Sequence, residues 1–135
     1  MHDLAELIGR FRTAYAAADA QALRGLVTPT FEWHLHWFAA DAPAPTGMVL
    51  HGVDALVIEV RRRQREWTNV RYRDLKERFT VDLVVQTFSV SGVNEREEAF
   101  DVAAVDLYPI EHGRIARKDT YWKQASVVLS RSRFD

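Results

Sequence analysis

The residues best suited to acid–base chemistry lie in a predicted hairpin over Ala99 to Lys123. A three-residue loop over Glu111 to Gly113, with its glycine in the left-handed conformation, would place Asp106 opposite Lys118. A two-residue loop would instead place Asp106 opposite Asp119, and like charges directly opposite each other are unfavourable. We therefore expect an Asp–Lys pair on one face of this hairpin.

This pair and two tyrosines have the side chains that proton transfer needs. Asp106 would lie among apolar and aromatic neighbours, as a general acid or base or as the partner of Lys118 in a structural ion pair. Lys118 could polarise a carbonyl or stabilise a developing oxyanion. Tyr15 and Tyr72 either pack in the core with satisfied hydroxyls or donate hydrogen bonds to a ligand.

Two histidines, His34 and His36, share one face of a strand predicted over Thr30 to Phe38. If Trp33 and Leu35 point inward, both histidines point away from the pocket, whereas a different strand twist would make His34 a pocket general base. One metal ion could also contact both imidazoles. The candidate third ligands are Glu32, Asp41 and His51. We expect no metal here, and keep this site as a weaker alternative.

Composition excludes several classes of function. The chain has 135 residues, no cysteine and a net charge of −1. Disulfides, thiolate nucleophiles and cysteine-bound metals are therefore excluded, and charge supports neither a nucleic-acid nor a membrane partner. No phosphate-binding loop, dinucleotide fingerprint or nucleophile elbow is present, so we expect no cofactor. We expect one domain over 1–135, with its core at 3–124 and a short tail, in the cytoplasm.

The elements that position these residues follow from apolar spacing. Helices are predicted after Asp3, over Ala20–Val27 after an Asp19 cap, and over Val53–Trp67, whose arginine cluster (Arg61, Arg62, Arg63 and Arg65) is expected to face solvent. Strands are predicted over Thr30–Phe38, over Val70–Phe79 with a bulge between Tyr72 and Leu75, over Asp82–Val90, and in the hairpin. Ala39–Gly47 is a loop. This order predicts an α+β fold, a bent, mostly antiparallel sheet over three N-terminal helices, with a pocket at the open end of the cone.

Four segments resemble the nuclear transport factor 2-like superfamily, in its SnoaL-like, ketosteroid isomerase-like branch. They are Phe11–Leu23, Phe31–His34, His51–Leu56 and Asp106–Trp122. The resemblance implies a cone-shaped α+β barrel of cystatin-like topology that encloses a small-molecule pocket.

Only some of the family's site residues are present at the matching positions of this sequence. Asp106 falls on the aspartic acid of the isomerase oxyanion hole. Phe11 stands where that enzyme has a tyrosine, and Leu35 stands where it has its general base. Lys118 and Thr120 align with the positions of a histidine and an aspartate in the cyclase branch. Neither the isomerase nor the cyclase residue set is therefore complete.

We expect a small-molecule-binding, cofactor-free acid–base enzyme of the isomerase, dehydratase, cyclase or epoxide hydrolase type, acting on a small, partly apolar ring compound. The alternative is a noncatalytic ligand-binding or dimerisation domain of the same fold. The candidate catalytic residues are Asp106, Lys118, Tyr15 and His34. The candidate ligand-binding residues are Phe11, Trp33, Leu35, Tyr72, Tyr108, Thr120 and Trp122. We also expect a homodimer through the outer sheet face, where Ala103, Val105 and Leu107 would lie.

Overall fold

The computed structural model describes residues 3–36 and 47–123. Its elements, in chain order, are α1 (Leu4–Ala16), α2 (Ala20–Arg24), β1 (Val27–Leu35), β2 (Met48–His51), α3 (Gly52–Glu66), β3 (Thr68–Phe79), β4 (Leu83–Val93), β5 (Ala99–Glu111) and β6 (Arg114–Trp122). The expected loop over Ala39–Gly47 lies outside these residues except for its last residue. Trp37 and Phe38 of the expected first strand, and the tail, also lie outside them.

Aspartate caps begin the first two helices, as the sequence predicts. The Asp3 carboxylate accepts a hydrogen bond from the Ala5 amide at 2.9 Å, and the Asp19 carboxylate accepts one from the Ala22 amide at 3.1 Å. The expected end of α2 at Val27 is wrong. The helix ends at Arg24, and Val27 begins β1, because a short apolar run fits a helix and a strand equally well.

The six strands form one curved sheet in the order β2-β1-β6-β5-β4-β3. Only the β1–β6 contact is parallel among the described strand pairs, so the mostly antiparallel α+β architecture is confirmed. The barrel is not closed, because β2 and β3 form its two edges. The sequence predicted one strand between the second and third helices, but the four-residue β2 is a second one, too short to show a period.

The core lies between the helices and one face of this sheet. Trp33 and Leu35 of β1 are 0% exposed and pack with Ile8 and Phe11 of α1 and Leu56 of α3. Alternation along β1 therefore places its odd-numbered residues inward and its even-numbered residues on the outer face, which decides between the two orientations that the sequence left open. No helix within 3–36 and 47–123 is long and apolar enough to cross a membrane.

The hairpin of β5 and β6 has a different turn from the predicted one. Its loop is the two-residue turn His112–Gly113, whose φ values of 53° and 73° match a type I′ turn. Glu111 pairs with Arg114 across this turn. The expected three-residue loop is therefore wrong.

A register irregularity between Leu107 and Ile110 then resolves the conflict between like charges. It places Asp106 opposite Thr120, so Asp119 lies opposite Leu107 instead. The expected pairing of Asp106 with Lys118 is wrong by two residues. A shift of two residues keeps every side chain on its predicted face, so Lys118 still reaches Asp106 diagonally.

The bulge predicted in β3 is present. The β3–β4 register shifts between Arg73 and Lys76, and Asp74 between them has a φ of 57°. On β5, the alternation also places Val105 and Leu107 on the opposite sheet face from Asp106. The homodimer expected through that outer face stays a prediction.

Candidate functional site

A cavity of about 240 Å³ opens between α1, α3 and the inner face of the sheet. Its polar lining includes Tyr15 from α1, Asp106 and Tyr108 from β5, and Lys118 and Thr120 from β6. These residues come from three separate elements. The structure therefore brings three of the four candidate catalytic residues to one cavity.

Aromatic side chains form most of the remaining wall. Four of the candidate ligand-binding residues, Phe11, Trp33, Tyr72 and Trp122, line the cavity together with Phe88. Tyr72 lies at the mouth, since 56% of its surface is exposed, whereas Trp33 is fully buried. The cavity is therefore suited to a flat apolar ring.

A buried hydrogen-bond network surrounds the Asp106 carboxylate. Its Oδ2 atom lies 2.8 Å from Nζ of Lys118, and its Oδ1 atom accepts a hydrogen bond from the Thr120 hydroxyl at 2.6 Å. The Tyr108 hydroxyl lies 3.3 Å from Oδ2. Asp106 and Lys118 are 3% and 5% exposed, so this is a buried ion pair with both carboxylate oxygens hydrogen-bonded.

Lys118 keeps one N–H group for the cavity. Its ammonium has three N–H donors. Two of them contact Oδ2 of Asp106 and the Tyr108 hydroxyl, the latter at 2.9 Å. In the described part of the chain, the third has no hydrogen-bond acceptor. Nζ instead lies over aromatic faces, 4.9 Å from the ring centre of Tyr15 and 5.4 Å from that of Trp33, where cation–π attraction stabilises it.

Tyr15 supplies a second donor. Burial raises the pKa of Tyr15 to about 12, against an opposing effect of the Arg63 charge, so the hydroxyl is neutral at pH 7. This hydroxyl makes no hydrogen bond with any described residue. The cavity therefore contains two unfilled donors, one cationic and one neutral, in apolar surroundings. Such a pair can stabilise negative charge that develops on a ligand oxygen.

A series of hydrogen bonds through side chains that the sequence analysis did not identify holds this network in place. Tyr108 donates to Oε1 of Gln86 at 3.0 Å, and Nε2 of Gln86 donates to Glu77 at 2.9 Å. Glu77 also pairs with Arg12 at the rim. Gln86 is 4% exposed. Gln86 lies on the inward-facing side of β4, a strand rich in β-branched residues, and this alternation was the available sequence signal that it is buried.

Arg63 does not face solvent, so the expectation for this member of the arginine cluster is wrong. It is 7% exposed, and its guanidinium lies 5.0 Å from the ring centre of Trp33, on the cavity wall. Its Nε donates to Glu59 at 2.7 Å. Arg63 follows Val60 by three residues on the apolar stripe of α3, and that spacing was the available signal.

Two candidate residues do not line the cavity. Leu35 lies in the core with no exposed surface. His34 lies on the outer face, so its expected position as a pocket base is wrong, because alternation along β1 points Trp33 inward and His34 outward. On that face, His34 contacts Glu32 at 3.0 Å and His36 contacts Asp119 at 2.8 Å.

The outer face also holds the residues that could bind a metal ion. The ligand atoms of His34, His36 and Asp119 all lie within 4.8 Å of one another. Asp119 was not among the third ligands that the sequence suggested. Of those, His51 contacts Glu32 at 2.9 Å, and Asp41 lies outside the described residues.

Comparison with known proteins identifies the architecture. No protein-family model matches the sequence, and no curated protein is significantly similar to it. Solved structures do match. A nuclear transport factor 2-like protein from Burkholderia xenovorans LB400 superposes with a TM-score of 0.73 at 15% identity, covering 94% of this chain and 92% of that one.

Two further structures extend this result to other branches of the fold. A protein with a ketosteroid isomerase-like fold from Catenulispora acidiphila, in complex with trimethylamine, has a TM-score of 0.68 at 18% identity, covering 92% of this chain and 90% of that one. A protein assigned as a SnoaL-like polyketide cyclase from Jannaschia sp. CCS1 has a TM-score of 0.66 at 14% identity, covering 95% and 88%. The chain has the nuclear transport factor 2-like fold.

Proposed function

We propose that this protein binds a small, flat, partly apolar ring compound in the cavity and catalyses a cofactor-free proton transfer on it. Isomerisation, dehydration, cyclisation and epoxide opening all belong to this reaction class. One observation carries the proposal, namely that the Lys118 ammonium and the Tyr15 hydroxyl each have an unfilled hydrogen-bond donor at the same apolar cavity. Two such donors are suited to one carbonyl, phenol or epoxide oxygen of a ligand.

Each polar residue then has a distinct role. Lys118 and Tyr15 contact the ligand oxygen and stabilise the charge that develops on it. Asp106 orients the ammonium through the 2.8 Å contact and, among the described residues, is the carboxylate that lines the cavity, so it is the candidate base. Thr120 and Tyr108 hold this carboxylate in place from both oxygens.

Size and charge restrict the ligand. Small-molecule pockets commonly have volumes of roughly 300–1,000 Å³. A cavity of about 240 Å³ therefore suits a compound of one or two rings. Two cations, Lys118 and Arg63, already lie against the aromatic walls. We therefore expect a neutral or anionic oxygen compound to bind in preference to an amine cation.

A noncatalytic ligand-binding protein is the second candidate. It is favoured by the fact that both oxygens of Asp106 already accept hydrogen bonds from the protein. A structural ion pair shows the same pattern. In that case the cavity binds the ring compound, and Asp106 abstracts no proton from it.

Binding is tested with 2-naphthol, a two-ring phenol whose absorbance reports its ionisation. The wild-type protein is expected to bind it and to lower the pH at which the bound phenol ionises, because Lys118 and Tyr15 stabilise the anion. Lys118→Met and Tyr15→Phe should each weaken this effect. Phe79→Leu, on an exposed residue outside the cavity lining, is the matched control. Equal ionisation in wild type and both variants would refute the proposed donor pair.

Catalysis is tested separately with 2-tetralone, a ring ketone with exchangeable protons next to its carbonyl. The protein is expected to accelerate exchange of these protons in D₂O, followed by NMR, and Asp106→Asn should lower the rate by about 10²–10⁴-fold. Binding of 2-naphthol without accelerated exchange would favour the noncatalytic candidate. Unchanged exchange in Asp106→Asn would exclude Asp106 as the base.

A further inference from the structure

We propose that the outer face of the sheet carries a binding site for a divalent transition metal ion, Zn²⁺ in the first instance, with His34, His36 and Asp119 as ligands. This site lies on the opposite side of β1 and β6 from the cavity and is independent of the function proposed above. It also reverses the expectation from sequence that the protein binds no metal.

Geometry gives the first support. His34 and His36 are two residues apart at the outer face of β1, and Asp119 is the direct neighbour of His34 on the parallel strand β6. Their ligand atoms lie within 4.8 Å of one another. Tetrahedral ligands at the usual distances from zinc are separated by roughly 3.4 Å. Small side-chain rotations are therefore enough to close the site.

The ligand side chains are already ordered by their surroundings. The His36 ring stacks on Tyr121 with ring centres 4.3 Å apart and planes 4° apart, and it stacks on His34 at 5.6 Å. Asp119 is 4% exposed, and its Oδ1 atom is 2.8 Å from Nε2 of His36. Binding would therefore cost little side-chain entropy. The metal ion would take the place of the direct contact between His36 and Asp119.

Neighbouring charges complete the arrangement. Glu32 contacts the His34 ring at 3.0 Å and is itself contacted by His51 at 2.9 Å. A metal-binding histidine commonly has such a carboxylate hydrogen-bonded to its other ring nitrogen. Arg117 contacts Oδ2 of Asp119 at 2.8 Å and leaves Oδ1 to the metal.

The ligand set determines which ions are suitable. Imidazole nitrogen with one carboxylate suits Zn²⁺, Cu²⁺, Ni²⁺ and Fe²⁺ better than Mg²⁺ or Ca²⁺, which prefer oxygen ligands alone. Three protein ligands leave one position of a tetrahedral ion for water or an added anion. The histidine side chains are 14% and 17% exposed, so an ion can enter from solvent.

The test is calorimetric titration of tag-free protein with ZnCl₂, together with the visible absorption of the Co²⁺ form. One ion per chain is expected, with an intense visible band typical of tetrahedral cobalt. His34→Asn, His36→Asn and Asp119→Asn should each weaken zinc binding at least tenfold. His112→Asn removes an exposed histidine at the β5–β6 turn, so it is the matched control and should bind zinc like the wild type.

Arg117→Met tests the site through an expected gain of zinc affinity, which a misfolded variant would not show. Removing this cation beside Asp119 should tighten zinc binding, because the carboxylate then interacts with the metal alone. Substoichiometric binding by the wild type would overturn the proposal. Zinc binding that survives in His36→Asn, or that is unchanged in Arg117→Met, would also overturn it. So would zinc binding that is lost in Glu32→Gln but retained in a folded Asp119→Asn, because the ligands would then be different residues.

Discussion

The Lys118→Met variant tests the energetics of the buried ion pair most directly. It removes the ammonium 2.8 Å from Asp106 and leaves the carboxylate, 3% exposed, without a charged partner. Breaking a buried pair from one side costs about 3–5 kcal/mol. The Thr120 hydroxyl still donates to the carboxylate, so we expect a value near the lower limit, about 3 kcal/mol.

The assay is urea unfolding at pH 7, followed by tryptophan fluorescence. With an m-value of about 1–3 kcal/mol per M, the midpoint should fall by roughly 1–3 M. Arg73→Met is the matched control, since it removes one side of the exposed Arg73–Asp101 pair, whose side chains are 46% and 64% exposed. That change should cost under about 1 kcal/mol. Equal losses in Lys118→Met and Arg73→Met would refute the assignment of Asp106–Lys118 as a buried, energetically coupled pair.

The double variant Asp106→Leu/Lys118→Met separates the cost of an unpaired charge from the cost of the pair. Tyr108 can still donate to Gln86, but the Thr120 hydroxyl loses the acceptor at 2.6 Å. One buried donor without a partner costs about 1–3 kcal/mol. We therefore expect the double variant to be no less stable than Lys118→Met.

Two further predictions concern pH. Burial alone would raise the pKa of Glu59, but hydrogen bonds and charge from Arg62 and Arg63 outweigh it, and the pKa is lowered from 4.5. The stabilisation by Glu59 is therefore complete above pH 4.5 and is lost as the pH falls through the lowered pKa. Glu59→Gln should lower the free energy of unfolding by about 1–3 kcal/mol at pH 7 and by progressively less in acid, as measured by urea midpoints. Burial raises the pKa of Tyr15 from 10.0 to about 12, so its contribution is complete below pH 10 and is lost as the pH rises toward 12. Thermal unfolding of the wild type should lose stability more steeply over this alkaline range than that of Tyr15→Phe; parallel pH curves would contradict a buried, neutral Tyr15 hydroxyl.

Local patterns in the sequence were sufficient for the helix caps and the faces of the strands. Alternation along β1 placed Trp33 and His34 on opposite faces, although it left open which face lines the cavity, and the Asp3 and Asp19 caps were recognisable from residue type alone. The cavity position of Asp106 and Lys118 survived an error of two residues in register, because only the parity of the shift decides the face.

Contacts between distant segments could not be predicted in the same way. The parallel pairing of β1 with β6 places Asp119 beside His34, although 84 residues separate them in the chain, and no local pattern reports that neighbour. The register irregularity after Leu107 was also invisible, because it is a property of the pairing between β5 and β6. Arg63 was missed for another reason, since its charge concealed its place on an apolar stripe.

The β5–β6 hairpin also determines which changes of chain length this protein can tolerate. On β6, Lys118 and Thr120 belong to the cavity, and Asp119 between them belongs to the histidine cluster on the outer face. Inserting or deleting one residue between Leu107 and Ile115, without a further bulge to absorb it, would exchange the two sets and place Asp119 against Asp106. Changes of two residues would preserve both faces. Natural changes of odd length in this hairpin should therefore be accompanied by a bulge of the kind seen between Leu107 and Ile110.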